Sequence, residues 1–182
     1  VIYTPPQDGM AIIRYMSNLE QFINDDHLSQ LDPLIKMAII HHQFESIHPF
    51  YDGNGRTGRI INILYLVITG LLDLPILYLS RYITHNKGEY YRLIQAIRDK
   101  NTDNAAEWEA WILFMLKGVE VTAEDTISLV KNIGRLMAEY KNVIRPDFGS
   151  KYNHEVLNGL FYHPFTKIDH VVANMQVSRQ TA

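Results

Sequence analysis

The residues best equipped to do chemistry lie in one run, "HPFYDGNGRTGR", from His48 to Arg59. Gly53, Gly55 and Gly58 let a backbone come close to a ligand, and amides entering a following helix carry the positive end of its dipole. Such a turn binds anions. Arg56 and Arg59, three apart in the first helical turn, share a face and can fork onto phosphate oxygens. Two cations at a helix N-terminus repel its dipole unless an anion compensates them, which points to a bound polyphosphate. Asp52, beside the turn, is the carboxylate placed to hold Mg²⁺, an ion that takes one or two carboxylates together with substrate phosphates. His48 is four residues earlier, with a side chain suited to moving a proton at neutral pH.

The same letters contain G-x-G-x-x-G and G-x-x-x-x-G, but neither nucleotide motif fits its surroundings. A dinucleotide fold needs a strand before the glycines and an acid ending a second strand. Here a helical pattern precedes Gly53, and Asp73 comes before the strand-like "PILYL". A P-loop needs Lys and Ser or Thr where Arg59 and Ile60 stand. An EF-hand starting at Asp52 would have Thr57 where Gly is required and Ile63 where Glu is required. "HQFES" lacks the second histidine of an H-x-x-E-H zinc site, so His41, His42 and Glu45 read as a buried or helix-surface trio with satisfied hydrogen bonds. The second "HPF", His163 to Phe165, has no glycine turn after it and reads as packing or a turn.

The elements that must position the run are helical. Apolar residues from Met10 to Asn24 recur at helical spacing. Asp32 as N-cap and Pro33 at the first position open a helix through "LIKMAIIHHQFESI", which Pro49 ends, so His48 sits at a helix terminus. The next helix is expected from about Arg56 to Gly70. "NKGEYYRLIQAIRDK" predicts another. Asn104 and Glu107 form a capping box before "WEAWILFMLKG", and Thr122 is read as the cap of a further helix that Pro146 stops. Only "VIYTPP" and "PILYL" look like strands, so the fold class is all-α. A composition break at "RPDFGSKYN" marks a linker. Capped starts at Thr166 and Ser178 suit a helix-turn-helix cut off inside its second element. The expected organisation is a domain over 1–145, then a linker and truncated module over 146–182.

Composition narrows the partners. There is no cysteine, which excludes disulfides and thiolate chemistry. Seventeen Lys and Arg stand against twenty Asp and Glu, so no global basic field advertises nucleic acid or anionic membrane. The apolar run "IINILYLVITGLLDLPILYL" is broken by Asn62, Gly70, Asp73 and Pro75, and reads as core rather than a membrane span. The chain shows no signal peptide, starts without Met and stops at what reads as a helix start. It is therefore expected to be a cytoplasmic fragment.

"HPFYDGNGRTGR" resembles the Fic domain signature, H-P-F-x-[DE]-G-N-G-R-x-x-R, with no departure at a fixed position. "VIYTPP", "DPLIKMAIIHHQFESIHPF", "PILYLSRYI" and "YYRL" resemble the usual flanks in bacterial members, and "FYHPFTKIDHVVANMQVSRQTA" is similar to the start of the winged-helix domain that often follows. The resemblance implies a Fic-type helical bundle with a short β-hairpin flap, "VIYTPP" being its second strand. It implies transfer of AMP from ATP to a Ser, Thr or Tyr hydroxyl of a target protein or of the chain itself, with pyrophosphate released.

In that scheme His48 is the base and Asp52 holds Mg²⁺. Gly53 and Gly55 amides with the Asn54 side chain form an anion hole, Arg56 and Arg59 take the β- and γ-phosphates, and Thr57 and Gly58 complete the nucleotide-binding turn. Phe50 faces the core, and Tyr90 lies near the nucleotide base. The inhibitory pattern [ST]-x-x-x-E-[GN] is not found in these residues. The alternatives are UMP transfer, phosphorylation or AMP removal on the same fold, or a regulator whose C-terminal module binds DNA. A homodimer is compatible with the reading, and a membrane is not part of it.

Overall fold

The computed structural model of the chain describes residues 3–99, 104–149, 152–162 and 165–180. Among these there are eight helices and no strand. They form two compact units, 1–126 and 127–182.

In the first unit, α1 (Gly9–Asn24) begins where the Asp8 carboxylate accepts from the Ala11 amide at 2.8 Å. α2 (Pro33–Ile47) begins in the same way, with Asp32 accepting from Leu34 N at 2.8 Å and Pro33 in the first turn, where its missing N–H costs nothing. Apolar residues surround α2, as expected of a helix buried on most sides. Met37, Ala38, Ile40 and Phe44 have essentially no exposure. It packs between α1, which buries Leu19 against it, and α3 (Asn54–Ile68), which buries Tyr65 and Leu66. α4 (Leu79–His85) and α5 (Lys87–Asp99) follow, and the first part of α6 (Ala105–Phe148) adds Trp111 to the core. Its indole N–H donates to Ala38 O at 2.9 Å, so the largest core side chain carries no unmet donor.

One cation is buried there too. Lys36 points from α2 to Asp26 at 3.4 Å and to the Ile23 carbonyl, with its ammonium over the Phe22 and Tyr65 rings. It ties the end of α1 to α2 and α3.

Several expectations are corrected. α3 starts at Asn54, two residues earlier than the spacing predicts. Residues 100–103 lie outside the described set, but α6 runs unbroken through Thr122. Thr122 is buried mid-helix and donates to Gly118 O at 2.7 Å, a back-bond that mimics nothing of a cap. Pro146 lies inside the last turn, and the helix ends two residues later. "PILYL" forms no strand: Leu77 is buried in an irregular segment that leads into α4. Tyr3 to Gln7 pair with no strand among the described residues, so the hairpin flap does not appear there. Instead the Tyr3 hydroxyl donates to Ser46 O at 2.9 Å and its ring lies under Arg98 at 4.1 Å.

The second unit contains the rest of α6, α7 (His154–Tyr162) and α8 (Ile168–Met175). Leu157 is buried and Phe161 meets Tyr140 edge-on at 5.8 Å. α8 opens at Lys167, not at Thr166, whose hydroxyl instead donates to Leu160 O. Residues 177–180 are non-helical, so no helix starts at Ser178 within the described residues. These helices carry no wing strand among the described residues. Of the second "HPF", His163 and Pro164 lie outside the described residues and Phe165 is exposed.

Candidate active site

α2 and α3 are joined by a turn of six residues, and each end of that turn has a left-handed residue. His48 closes α2 at φ 52°, its amide donating to Phe44 O at 2.9 Å. Gly53 opens α3 at φ 87°, a conformation that favours glycine. No side chain caps α3, so the amides of its first turn remain available to a ligand.

Between them the turn is braced by Asn54. Its Oδ1 accepts from Phe50 N at 2.9 Å and its Nδ2 donates to Phe50 O at 2.6 Å. The carboxamide is thereby turned inward and buried, so Asn54 contributes rigidity where an anion-hole donor was expected. Phe50 is half exposed, contrary to the expectation of a core residue. Its ring touches Phe44 from the surface side at 6.2 Å between centroids, because the bonds that fix it run through its backbone.

The turn forms one wall of a cavity of about 440 Å³. His48, Tyr51, Asp52, Gly53, Asn54, Gly55, Arg56 and Arg59 line it on that side, and Ile83, Thr84, Lys87, Tyr90 and Tyr91 line it from α4 and α5. Glu45 completes it from α2. Of the sequence-predicted residues, only Thr57 and Gly58 do not line the cavity. Thr57 donates its hydroxyl to Gly53 O at 3.1 Å, and Gly58 packs beneath the turn. A Cβ on Gly58 would lie 3.2 Å from the Phe44 ring and 3.3 Å from both Glu45 Oε1 and His41 Cε1, so glycine is what allows α3 to approach α2 here.

The two arginines are held differently. Arg56 is largely exposed and folds back onto Asp52 at 3.2 Å, an ion pair that supplies the compensating anion internally. Arg59 is half buried, and its Nε donates to Ser80 Oγ at 2.8 Å, fixing the guanidinium over Gly55. Asp52 is also exposed, and it is the carboxylate of the turn that could hold a divalent cation in place of Arg56.

Behind the cavity is a buried relay. Asn62 Nδ2 meets His41 Nδ1 at 3.0 Å, and with the amide as donor the ring proton sits on Nε2, which donates to the Tyr90 hydroxyl at 2.8 Å. Burial lowers His41 to a pKa of about 4 and pushes the Tyr90 phenol well up, so both are neutral. Burial likewise lowers His42 to about 4. Tyr90 therefore has its ring at the cavity and its hydroxyl committed to His41. Glu45, Ser80, Thr84, Lys87 and Tyr91 are brought to the site from outside the run; no local signal marks them, because only the packing of α2, α4 and α5 places them there.

The sequence profile of the Fic/DOC family matches residues 1–66, and that of the protein adenylyltransferase SoFic-like C-terminal domain matches residues 136–182. Residues 1–66 thus carry a Fic/DOC family domain. A protein adenylyltransferase Fic from Drosophila erecta is 38% identical over 69 residues, 37% of this chain and 14% of the relative. A protein adenylyltransferase from Caenorhabditis briggsae is 24% identical over 122 residues, 66% of this chain and 21% of the relative. The chain thus spans a small fraction of these relatives. A Fic family protein from Desulfovibrio desulfuricans matches the whole chain at a TM-score of 0.59 and 22% identity, over 48% of its own length, a likeness of fold. The family match covers α1, α2 and all but the last two residues of α3, the elements around the glycine turn.

Proposed function

We propose that this Fic chain transfers AMP from ATP to a hydroxyl of a protein. The observation that carries the reading is the uncapped, glycine-opened N-terminus of α3, flanked by Arg56 and Arg59, with the exposed imidazole of His48 on the rim of the same cavity. In this reading the triphosphate lies along the turn. The first amides of α3 meet phosphate oxygens, Arg59 in its fixed position takes the far end, and Arg56 leaves Asp52 to join it. When bound, Mg²⁺ would be held by Asp52 and would neutralise charge on the phosphates. Asn54, Thr57 and Gly58 keep the turn in shape, and Tyr90 forms part of the wall beyond the phosphates.

His48 takes the proton from the target's hydroxyl, and that oxygen attacks the α-phosphorus. The bond from the α-phosphorus to its bridging oxygen breaks, and pyrophosphate leaves with the electron pair. Positioning and electrostatic stabilisation supply most of the acceleration in such transfers, with the base contributing about 10² to 10⁴-fold.

The test is incubation of the protein and His48→Ala with lysate, Mg²⁺ and ATP labelled at the α- or γ-phosphate. Label kept on protein only from α-labelled ATP, and lost in the variant, is the expected result. Label kept only from γ-labelled ATP would replace the reading with phosphorylation.

A further inference from the structure

α2 stops at Ile47, and the chain then turns left-handed at His48, where φ is 52°. The other left-handed residues of this unit among those described, Gly53 and Gly70, are glycines. A side chain in that region persists where its surroundings over-determine it, and such positions collect at functional sites. What holds His48 there is therefore a question about its neighbours.

The helix supplies one bond, from the His48 amide to Phe44 O at 2.9 Å. Two more come from outside it. Ser46 O is one of the last-turn carbonyls that α2 cannot pair, and the amide that would meet it in a continued helix, that of Phe50, donates to Asn54 Oδ1 instead. The Tyr3 hydroxyl, from 43 residues earlier, donates to Ser46 O at 2.9 Å. On the other side Arg98 Nε, from α5, donates to Ser46 Oγ at 3.1 Å, and its guanidinium lies 4.1 Å from the centre of the Tyr3 ring. Tyr3, Ser46 and Arg98 thus close a triangle on the last turn of α2. None of the three lines the cavity that His48, Asp52 and Arg59 share, so their grip reaches it through the backbone of α2.

We propose that Tyr3 is a positioning residue for His48: together with Arg98 it clamps Ser46 and so fixes the peptide from which His48 presents its imidazole. This rests on the reading of His48 as the base. Tyr3 takes no part in the proton transfer and touches neither ATP nor the target. Its effect falls on turnover, because a base delivered out of line slows the step, whereas the groups that meet phosphate in the proposed function belong to α3.

The test uses Tyr3→Phe, which removes one hydroxyl and keeps the ring under Arg98. Amide hydrogen exchange, read by NMR, needs no activity. In Tyr3→Phe the His48 amide should exchange about fivefold faster, the worth of one hydrogen bond, while the amides of Met37 and Ile40 in the same helix keep their wild-type rates. In α-label transfer to lysate protein, the rate at saturating ATP should fall about fivefold with half-saturation for ATP within about twofold. Ser46→Ala keeps the carbonyl and releases Arg98; it should speed the same amide, and it replaces Tyr3→Phe if that variant folds poorly. A His48 amide that keeps its wild-type exchange, faster exchange spread evenly along α2, an unchanged transfer rate, or a loss confined to half-saturation for ATP overturns the proposal. A wild type that transfers no AMP overturns the function proposed above, while the exchange still decides whether Tyr3 holds the peptide of His48.

Discussion

Asn54 grips the backbone of Phe50 at both its amide and its carbonyl, 2.9 and 2.6 Å away, across the three residues that separate them. One side chain thus fixes the shape of the turn between His48 and α3. Asn54→Ala leaves a buried amide and carbonyl unpaired, with an expected loss of about 1–3 kcal/mol of stability. Asn54→Asp keeps the acceptor and loses the donor, and should fall between the two. Thermal unfolding measures the order wild type, Asp, Ala. AMP transfer should fall more steeply than stability, because in the proposed function the turn carries the phosphate donors.

Ser80 holds Arg59 by one charge-assisted bond of 2.8 Å. Ser80→Ala frees the guanidinium without removing it. The expected outcome is an increase in KM for ATP of roughly fivefold, equivalent to about 1 kcal/mol, with kcat nearly unchanged. Ser80→Thr should restore the wild-type KM. A fall in kcat at constant KM would show that Arg59 acts on the reacting phosphate and that Ser80 aims it there.

How far these parts were visible beforehand follows from the range of the interactions. The turn, the start of α2 at Asp32 and Pro33, and the helical class are written in local residues: caps, glycines and apolar spacing. Elsewhere tertiary context overrides a local or family signal. Thr122 has the chemistry of an N-cap, but it is buried mid-helix and bonds back to Gly118 O, while Trp111, Phe114 and Met115 bury the turns of α6 before it. The family resemblance implies a core Phe50, but the bonds of Asn54 to its backbone leave the ring half exposed. Ser80, Lys87 and Glu45 carry no motif, and only the packing of distant helices gives them a place at the cavity.

Two glycines in α6 make opposite predictions. A Cβ at Gly118 would sit 2.7 Å from the Tyr82 ring and 3.1 Å from Leu79, so Gly118→Ala overpacks the join between α4 and α6 and should lose about 1–3 kcal/mol. At Gly134 a Cβ meets nothing within 4 Å, and Gly134→Ala should gain about 0.5–1 kcal/mol from helix propensity. Denaturant unfolding of the two variants side by side checks the sign of each.

His41 and His42 set the response to acid. Both are held near pKa 4 by burial, against about 6.5 when unfolded. Between those values the unfolded chain binds the extra protons, so stability is fully present above about pH 6.5 and is lost as pH falls toward 4. For the fully buried His41 the loss is on the order of 2–3 kcal/mol. Unfolding temperature measured across that window should drop, and His41→Gln should flatten the slope while lowering the plateau, since the bonds to Asn62 and Tyr90 are disturbed.

The left-handed backbone of His48 has a consequence for how this protein could be improved. At the end of a helix a residue at φ 52° is most at ease as glycine, and a side chain there gives up about 1 kcal/mol. Selection for thermal endurance alone would replace the histidine, and His48→Gly should melt higher than the wild type while losing transfer. Consensus or stability-guided engineering would therefore be drawn first to the residue proposed as the base, a trade between durability and reactivity located at a single peptide.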